Sequence, residues 1–183
     1  QALLLFLLIP VILPTTVAAY TVIGEREQLT LEPVLATPAT DGELLAGKAL
    51  AATIPAVILA WSLFGVFLAV VGAVGSQPVQ DEIFRFDRIF AQVVLAPPLA
   101  TFAIELSMMI SMRSTDIRVA QQLSGLSILP AVGALALFSF DVVEPSVGRY
   151  LAAAAVLAAV DLAVVRTLIR MFDRERILTR FGA

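Results

Sequence analysis

Apolar residues in this chain do not alternate with polar ones; they come in long runs. A membrane-crossing helix takes roughly 20 mostly apolar residues, and five stretches qualify. Ala2–Ile23 and Ala49–Gly75 carry no charge. Ile89–Met112 carries only Glu105. Val119–Phe140 carries none, although Gln121, Gln122 and Ser124 make its first turns polar. Tyr150–Val165 carries only Asp161 and lies between Arg149 and Arg166. In hydrocarbon each backbone N–H and C=O must be satisfied inside the protein. Unbroken runs of this length do that as helices, not as barrel strands. The pattern predicts an all-α polytopic bundle with five transmembrane helices, and a single domain over residues 1–183 with no internal repeat.

Shorter signals punctuate the connectors. Thr40 and Glu43 form the S/T-x-x-E pattern of a capping box, which predicts a helix starting at Asp41. Leu44 and Leu45 then lead that helix into the second run. Pro33 and Pro38 break the residues before it into short pieces. In Gln80–Phe90, Ile83, Phe86 and Phe90 fall at helical spacing while Asp81, Arg85 and Arg88 lie off that stripe. This suits a short helix lying in the headgroup layer, or equally the first turn of the next span with polar flanks. Pro10, Pro14, Pro97, Pro98 and Pro130 lie inside runs, where each removes a helical hydrogen bond. They read as fixed kinks or as hinges.

Charge gives the runs a direction. Arg26, Lys48, Arg113, Arg118, Arg170, Arg174, Arg176 and Arg180 fall on one side of a five-span fold, and Arg85, Arg88 and Arg149 on the other, eight against three. The positive-inside rule then places Gly24–Lys48, Arg113–Arg118 and the tail from Arg170 in the cytoplasm.

Composition agrees and narrows the chemistry. Apolar residues make up 60% of the 183 and charged residues 15%, against roughly 45–50% and 25% for soluble domains. The net charge of −3 offers no broad basic field for nucleic acid. Cys and His are both absent, which removes disulfides, thiolate sites and histidine-based zinc or acid–base chemistry. The first run lacks a basic leading region, holds Pro10 and Pro14, and exceeds a signal-peptide core in length. It reads as a span. Because the chain opens on Gln1 directly into that run, its natural N-terminus is expected upstream.

The string E-R-E-x-x-T-L-E-x-x-L-A-T-P over Glu25–Pro38, followed by Gly47-Lys48 at the next run, resembles the permease subunits of ABC-2 type exporters, particularly the sodium- or drug-efflux-like branch. Ser111–Pro130 (S-M-R-S-T-D-I-R-V-A-Q-Q-L-S-G-L-S-I-L-P) is similar to the second cytoplasmic segment of that family. The chain departs from the family at Gln28 and Leu29, where a basic residue and a glycine are common. The resemblance implies six spans in the parent, the first lying before Gln1, and a place in a prokaryotic cell membrane with the C-terminus in the cytoplasm. It also implies a pump with two membrane subunits, identical or different, and two separate ATPase subunits that bind the ATP and Mg. Glu25, Arg26, Glu27, Thr30, Leu31 and Glu32 would form a coupling helix on the ATPase, with Arg113, Asp116 and Arg118 on the same face. On residues alone, Glu25–Glu32 reads as a solvated charge run that anchors a span. Consistent with a separate ATPase, no phosphate-binding loop is present: Gly42–Ala49 approaches G-x-x-x-x-G-K-[ST] but ends in Ala49. The chain is not expected to be an enzyme.

Glu105 and Asp161 are the charges inside runs. An ionised carboxylate at the bilayer centre costs at least about 2.5–3.5 kcal/mol. Each lies roughly 12–14 Å from the cytoplasmic boundary, at 1.5 Å per residue counted from Arg113 and Arg170. Similar depth lets them line one pathway or share a proton. They could contact a cationic substrate or gate its path, or simply bond to hydroxyls, to backbone or to Arg166. Ala154 and Ala158 share a face with Asp161, and Ala155, Ala159 and Ala163 form a second small stripe suited to close helix packing. Thr101, Met108 and Met112 share the face of Glu105. An ion-coupled secondary transporter built on Glu105 and Asp161 is the main rival to the pump.

Overall fold

The computed structural model of the chain describes residues 6–12, 15, 18, 38–114, 116–129, 132–133 and 146–172. The expected coupling segment Glu25–Glu32, most of Ala2–Ile23, the second half of Val119–Phe140 and the tail beyond Phe172 lie outside them. Five α-helices are described: α1 (Asp41–Val74), α2 (Gln77–Ile83), α3 (Phe86–Arg113), α4 (Ile117–Ser124) and α5 (Val147–Met171). No strand occurs among the described residues. Three helices, α1, α3 and α5, are long and apolar enough to cross a membrane. They correspond to the second, third and fifth predicted runs.

α1 begins where the capping box placed it. Glu43 N–H donates to Thr40 Oγ1 at 3.3 Å, and Thr40 N–H donates back to Glu43 Oε2 at 2.8 Å. The helix then continues unbroken for 34 residues, about 51 Å at 1.5 Å per residue, far more than the roughly 30 Å of a hydrocarbon core. Its first turns therefore belong to the same rigid rod as the span. The helix also runs through Pro55, and α3 through Pro97 and Pro98.

The turn between α1 and α3 departs from the first sequence expectation and agrees with the second from Phe86 onward. A helix over Gln80–Phe90 is not formed. α2 starts at Gln77 with Pro78 in its first turn and ends at Ile83, after which Arg85, in extended backbone, caps α3. Phe86 and Phe90, which stack at 5.7 Å between ring centres, therefore open the next span, while Ile83 closes the short helix. Gln80 Nε2 donates to three carbonyls at the end of α1: Val71 O at 3.3 Å, Gly72 O at 3.2 Å and Gly75 O at 2.9 Å. Helix C-termini leave carbonyls without partners, and this one side chain covers several of them. Gly75 is required here, since a Cβ at this position would stand 2.4 Å from Val71 O. On the other side of the turn, Arg88 pairs with Glu82, and Arg85 with Asp87 at 3.2 Å.

α3 is the centre of the bundle. α5 and α1 both pack along it. Ala91, Ala96, Ala100 and Ala103 are buried on its surface and allow the close helix approach that small residues permit in lipid. Near the α2 end, Leu95, Leu99, Tyr150 and the N-terminal Leu7 and Val11 form one cluster. Near the Arg113 end, Leu45, Ala49, Ile104, Met108, Leu168, Phe172 and Ala18 form a second. Leu7 and Val11 thus lie in the first cluster and Ala18 in the second. Ser146 caps α5 by accepting from Arg149 N–H at 3.3 Å. The alanine stripe Ala155, Ala159, Ala163 is exposed and does not serve as a seam among the described residues; the buried face of α5 runs through Tyr150, Asp161 and Leu168.

Replacing Gln80 with Leu removes three carbonyl contacts and leaves acceptors uncovered at the turn. Lost hydrogen bonds of this kind cost about 1 kcal/mol or more, so Gln80→Leu is expected to lower the thermal midpoint of the purified protein, and Gly75→Ala to lower it at least as much. A thermal unfolding series in detergent checks both, with Gln77→Leu as the neutral comparison.

Candidate functional site

Two places bring polar groups together. The first lies between α3 and α5. Glu105 is 1% exposed and Asp161 8%, on two helices, α3 and α5, that pack along one another. One oxygen of each, Glu105 Oε2 and Asp161 Oδ1, has no hydrogen-bond partner. Neither carboxylate takes part in the ion pairs found among the described residues, which involve Glu82, Arg85, Asp87 and Arg88. Arg166, the basic partner considered for Asp161, is exposed. Nearby hydroxyls are committed to their own helix: Ser107 Oγ donates to Ala103 O at 2.8 Å and Thr101 Oγ1 to Pro97 O at 3.0 Å. Both residues therefore lie on the buried faces of helices that pack against each other. Met108 is buried beside Glu105 and Met112 is half-buried, as the shared face requires; Ala154 packs inward below Tyr150, whereas Ala158 is exposed.

The helix period explains why these carboxylates are inside. On α3 the buried positions include Ala100, Ala103, Ile104, Met108 and Ser111, one side of a 3.6-residue repeat, and Glu105 falls on it. On α5 Asp161 falls between Tyr150 and Leu168 on the only buried face that helix has. Two side chains that would prefer water are buried, and no ion pair among the described residues involves them.

The second place is at the Arg113 end of the bundle. The first turn of α1, the last turn of α3 and the last turn of α5 meet there: a Cβ on Gly42 would touch Ile169 Cδ1 at 3.5 Å, and Arg113 Nη2 reaches Met171 Sδ at 3.8 Å. α4 follows α3 immediately. Asp116 caps it, accepting from Arg118 N–H at 2.6 Å. α4 is amphipathic: Ala120 and Ser124 are buried, Val119 and Leu123 lie outside. Together with Ile110, Arg113 and Ser114, Val119 and Leu123 line an open cavity of about 300 Å³. Arg113, Asp116 and Arg118, singled out from the sequence, are all exposed around it, although Asp116 also has the structural duty of the cap. Glu25, Arg26, Glu27, Thr30, Leu31 and Glu32 lie outside the described residues.

Gln92 was not singled out in the sequence. It is 2% exposed, and both its amide nitrogen and oxygen lack partners. The available signal is an uncharged polar residue near the start of an apolar run, the fourth position of Ile89–Met112. Among the described residues no group of three or more His, Cys, Asp or Glu could hold a metal ion.

If the carboxylates are as unpartnered as their geometry shows, replacing either with its amide takes away a costly buried group without opening a cavity. Glu105→Gln and Asp161→Asn are expected to leave the thermal midpoint of the purified protein unchanged or raised. Breaking a bonded buried charge instead costs about 3–5 kcal/mol, a loss the same measurement would reveal.

A search of curated proteins and one of solved structures found no match. A family model described as "ABC-2 family transporter protein" matches residues 2–129, a segment that contains α1 to α4 and Glu105. A multi-helix membrane bundle with this sequence match over more than half its length has one assignment: the chain belongs to the ABC-2 family of transporter proteins.

Proposed function

We propose that this chain is the membrane-spanning subunit of an ATP-driven exporter and that a separate ATPase subunit supplies the energy. The observation that carries this reading is the gathering of three helix ends and amphipathic α4 at one end of the bundle, with Arg113, Asp116 and Arg118 exposed around an open cavity. That end collects Lys48, Arg113, Arg118 and Arg170, against Arg85, Arg88 and Arg149 at the other, so the positive-inside rule makes it cytoplasmic. A partner docking there would touch the start of α1, a rod that continues without a break to Val74. A displacement at Asp41 would reach the opposite face of the membrane through that rod. Glu25–Glu32 precedes the rod in sequence and completes the docking surface. A second permease subunit, the same chain or a relative, completes the pathway in a prokaryotic cell membrane. ATP and Mg are held by the ATPase, and this chain carries out no reaction of its own. Sodium or a hydrophobic cation is the substrate class we favour, because the only charges buried in the described bundle are acidic.

A second reading, an ion-coupled transporter that needs no nucleotide, is favoured by Glu105 and Asp161 alone. The two readings part in membrane vesicles. Export that depends on ATP and on a co-purifying ATPase supports the pump; export driven by an ion gradient without nucleotide overturns it.

Reversing the charges of the docking surface, Arg113→Glu with Arg118→Glu, is expected to reduce ATPase co-purification about tenfold, a change of about 1.4 kcal/mol, with export falling in step. Retention of the full ATPase complement by this double variant, or by Leu123→Asp, would remove α4 from the interface.

A further inference from the structure

The cavity at the Arg113 end has a composition that a protein partner alone does not explain. Ile110 from α3 and Val119 and Leu123 from α4 make its walls apolar, and Arg113 and Ser114 complete the lining. The apolar side continues beyond the cavity. Val119, Leu123 and Leu126 are exposed at helical spacing along α4 and the turn after it, while Ala120, Ser124 and Ser127 form the buried side. A short amphipathic helix beside a membrane span lies at the headgroup layer with its apolar face toward the acyl chains.

The length of α3 sets the depth of the cavity. Its 28 residues extend about 42 Å at 1.5 Å per residue, which matches the roughly 40–45 Å of a bilayer with both headgroup layers. Arg113, the last residue of α3, therefore stands among headgroups, and Ile110, about one turn earlier, reaches toward hydrocarbon. The cavity straddles the boundary between the two.

The charge at that boundary has no strong partner. Arg113 Nη2 reaches Met171 Sδ at 3.8 Å, and a thioether is a weak acceptor. Arg113 takes no part in the ion pairs found among the described residues. Asp116 caps α4 by accepting from Arg118 N–H at 2.6 Å and is not among the cavity-lining residues. Ser114 Oγ donates to Ile110 O at 2.8 Å. Two arginines, Arg113 and Arg118, and one aspartate, Asp116, leave one positive charge around the opening. A guanidinium matches the oxygens of a phosphate, and basic pockets at the membrane surface take anionic headgroups. The volume of about 300 Å³ is at the lower end of the roughly 300–1,000 Å³ of ligand pockets. It suits a phosphate with its glycerol, the acyl chains continuing outside.

We propose that this cavity holds the phosphate and glycerol of an anionic phospholipid, with Arg113 on the phosphodiester and the acyl chains along Val119, Leu123 and Leu126. A zwitterionic phospholipid brings the same phosphate, but its ammonium group leaves the positive charge of the site unbalanced. Arg118 lies outside the cavity lining and stays exposed, so an ATPase docking here meets a surface that already contains lipid. The inference rests on the membrane-subunit reading for the choice of the cytoplasmic leaflet, but not for the existence of the site.

Photocrosslinking on the full-length permease in phosphatidylcholine nanodiscs, without ATPase and without nucleotide, tests the site. The probe is a trace of phosphatidylglycerol with a diazirine near the glycerol end of one acyl chain. Its crosslinks are expected in the peptide that contains Val119 and Leu123, and a phosphatidylcholine probe of the same design should label that peptide about fivefold less. Arg113→Gln should bring the anionic probe down to the same level, whereas Arg166→Gln, away from the cavity, should leave it unchanged. Competition in the unaltered protein needs no variant: unlabelled phosphatidylglycerol must displace the probe, and inorganic phosphate must not. Three results overturn the proposal: equal labelling by the two lipids, which would mean an annular lipid only; displacement by inorganic phosphate; or anionic crosslinks that avoid α4. Because no ATPase is present, failure of the pump reading leaves the labelling intact, and absence of labelling leaves ATP-dependent export intact.

Discussion

Close approach of α1 and α5 to α3 is the contact on which the rest of this bundle depends. Lipid tails are as apolar as leucine, so no hydrophobic drive brings helices together in a membrane; packing and small residues must do it. α3 supplies those small residues as Ala91, Ala96, Ala100 and Ala103, all buried. Both apolar clusters form across this surface, one at each end. The same closeness encloses Glu105 and Asp161, because a helix face that meets protein along its whole length cannot open a wet gap at one residue. The acidic site is thus a consequence of the packing that makes the bundle, and the cost of burying it is borne by that packing.

The two ends of the bundle have different chemistry for related reasons. At the Arg113 end, three helix termini converge and a short amphipathic helix follows at once, leaving charged residues around an open cavity. At the other end, the chain turns through α2, where Gln80 covers exposed carbonyls, Arg85 pairs with Asp87 and Arg88 with Glu82. The first end leaves its charged side chains exposed; the second pairs most of its own.

The sequence made the long elements legible because membrane helices announce themselves by uninterrupted apolar length. α1, α3 and α5 fall where runs were read, and the start of α1 at Asp41 followed from Thr40 and Glu43 alone. The short elements were harder. Nothing local in Gln80–Phe90 shows that the helix breaks at Phe84 and Arg85, because the break is fixed by what Gln80 reaches in α1, nine residues back along the chain. Val119–Phe140 reads as a run with polar first turns; the structure opens that region with amphipathic α4 from Ile117, followed by a 3-10 turn at Gly125–Ser127. Glu105 and Asp161 stand out in the sequence as the charges inside apolar runs. That they lack partners could not be read, since partners are supplied by helices far apart in sequence. Ala155, Ala159 and Ala163 show the reverse failure: a regular stripe identifies a face but not what lies against it.

The grip of Gln80 on the end of α1 has a mechanical corollary. Because one amide holds three carbonyls of the neighbouring helix, α2 cannot swing independently of α1, and the ion pair from Glu82 to Arg88 fastens α2 in turn to the start of α3. Tilting α1 must therefore carry α2 and the first turn of α3 with it, as a crank turns its shaft.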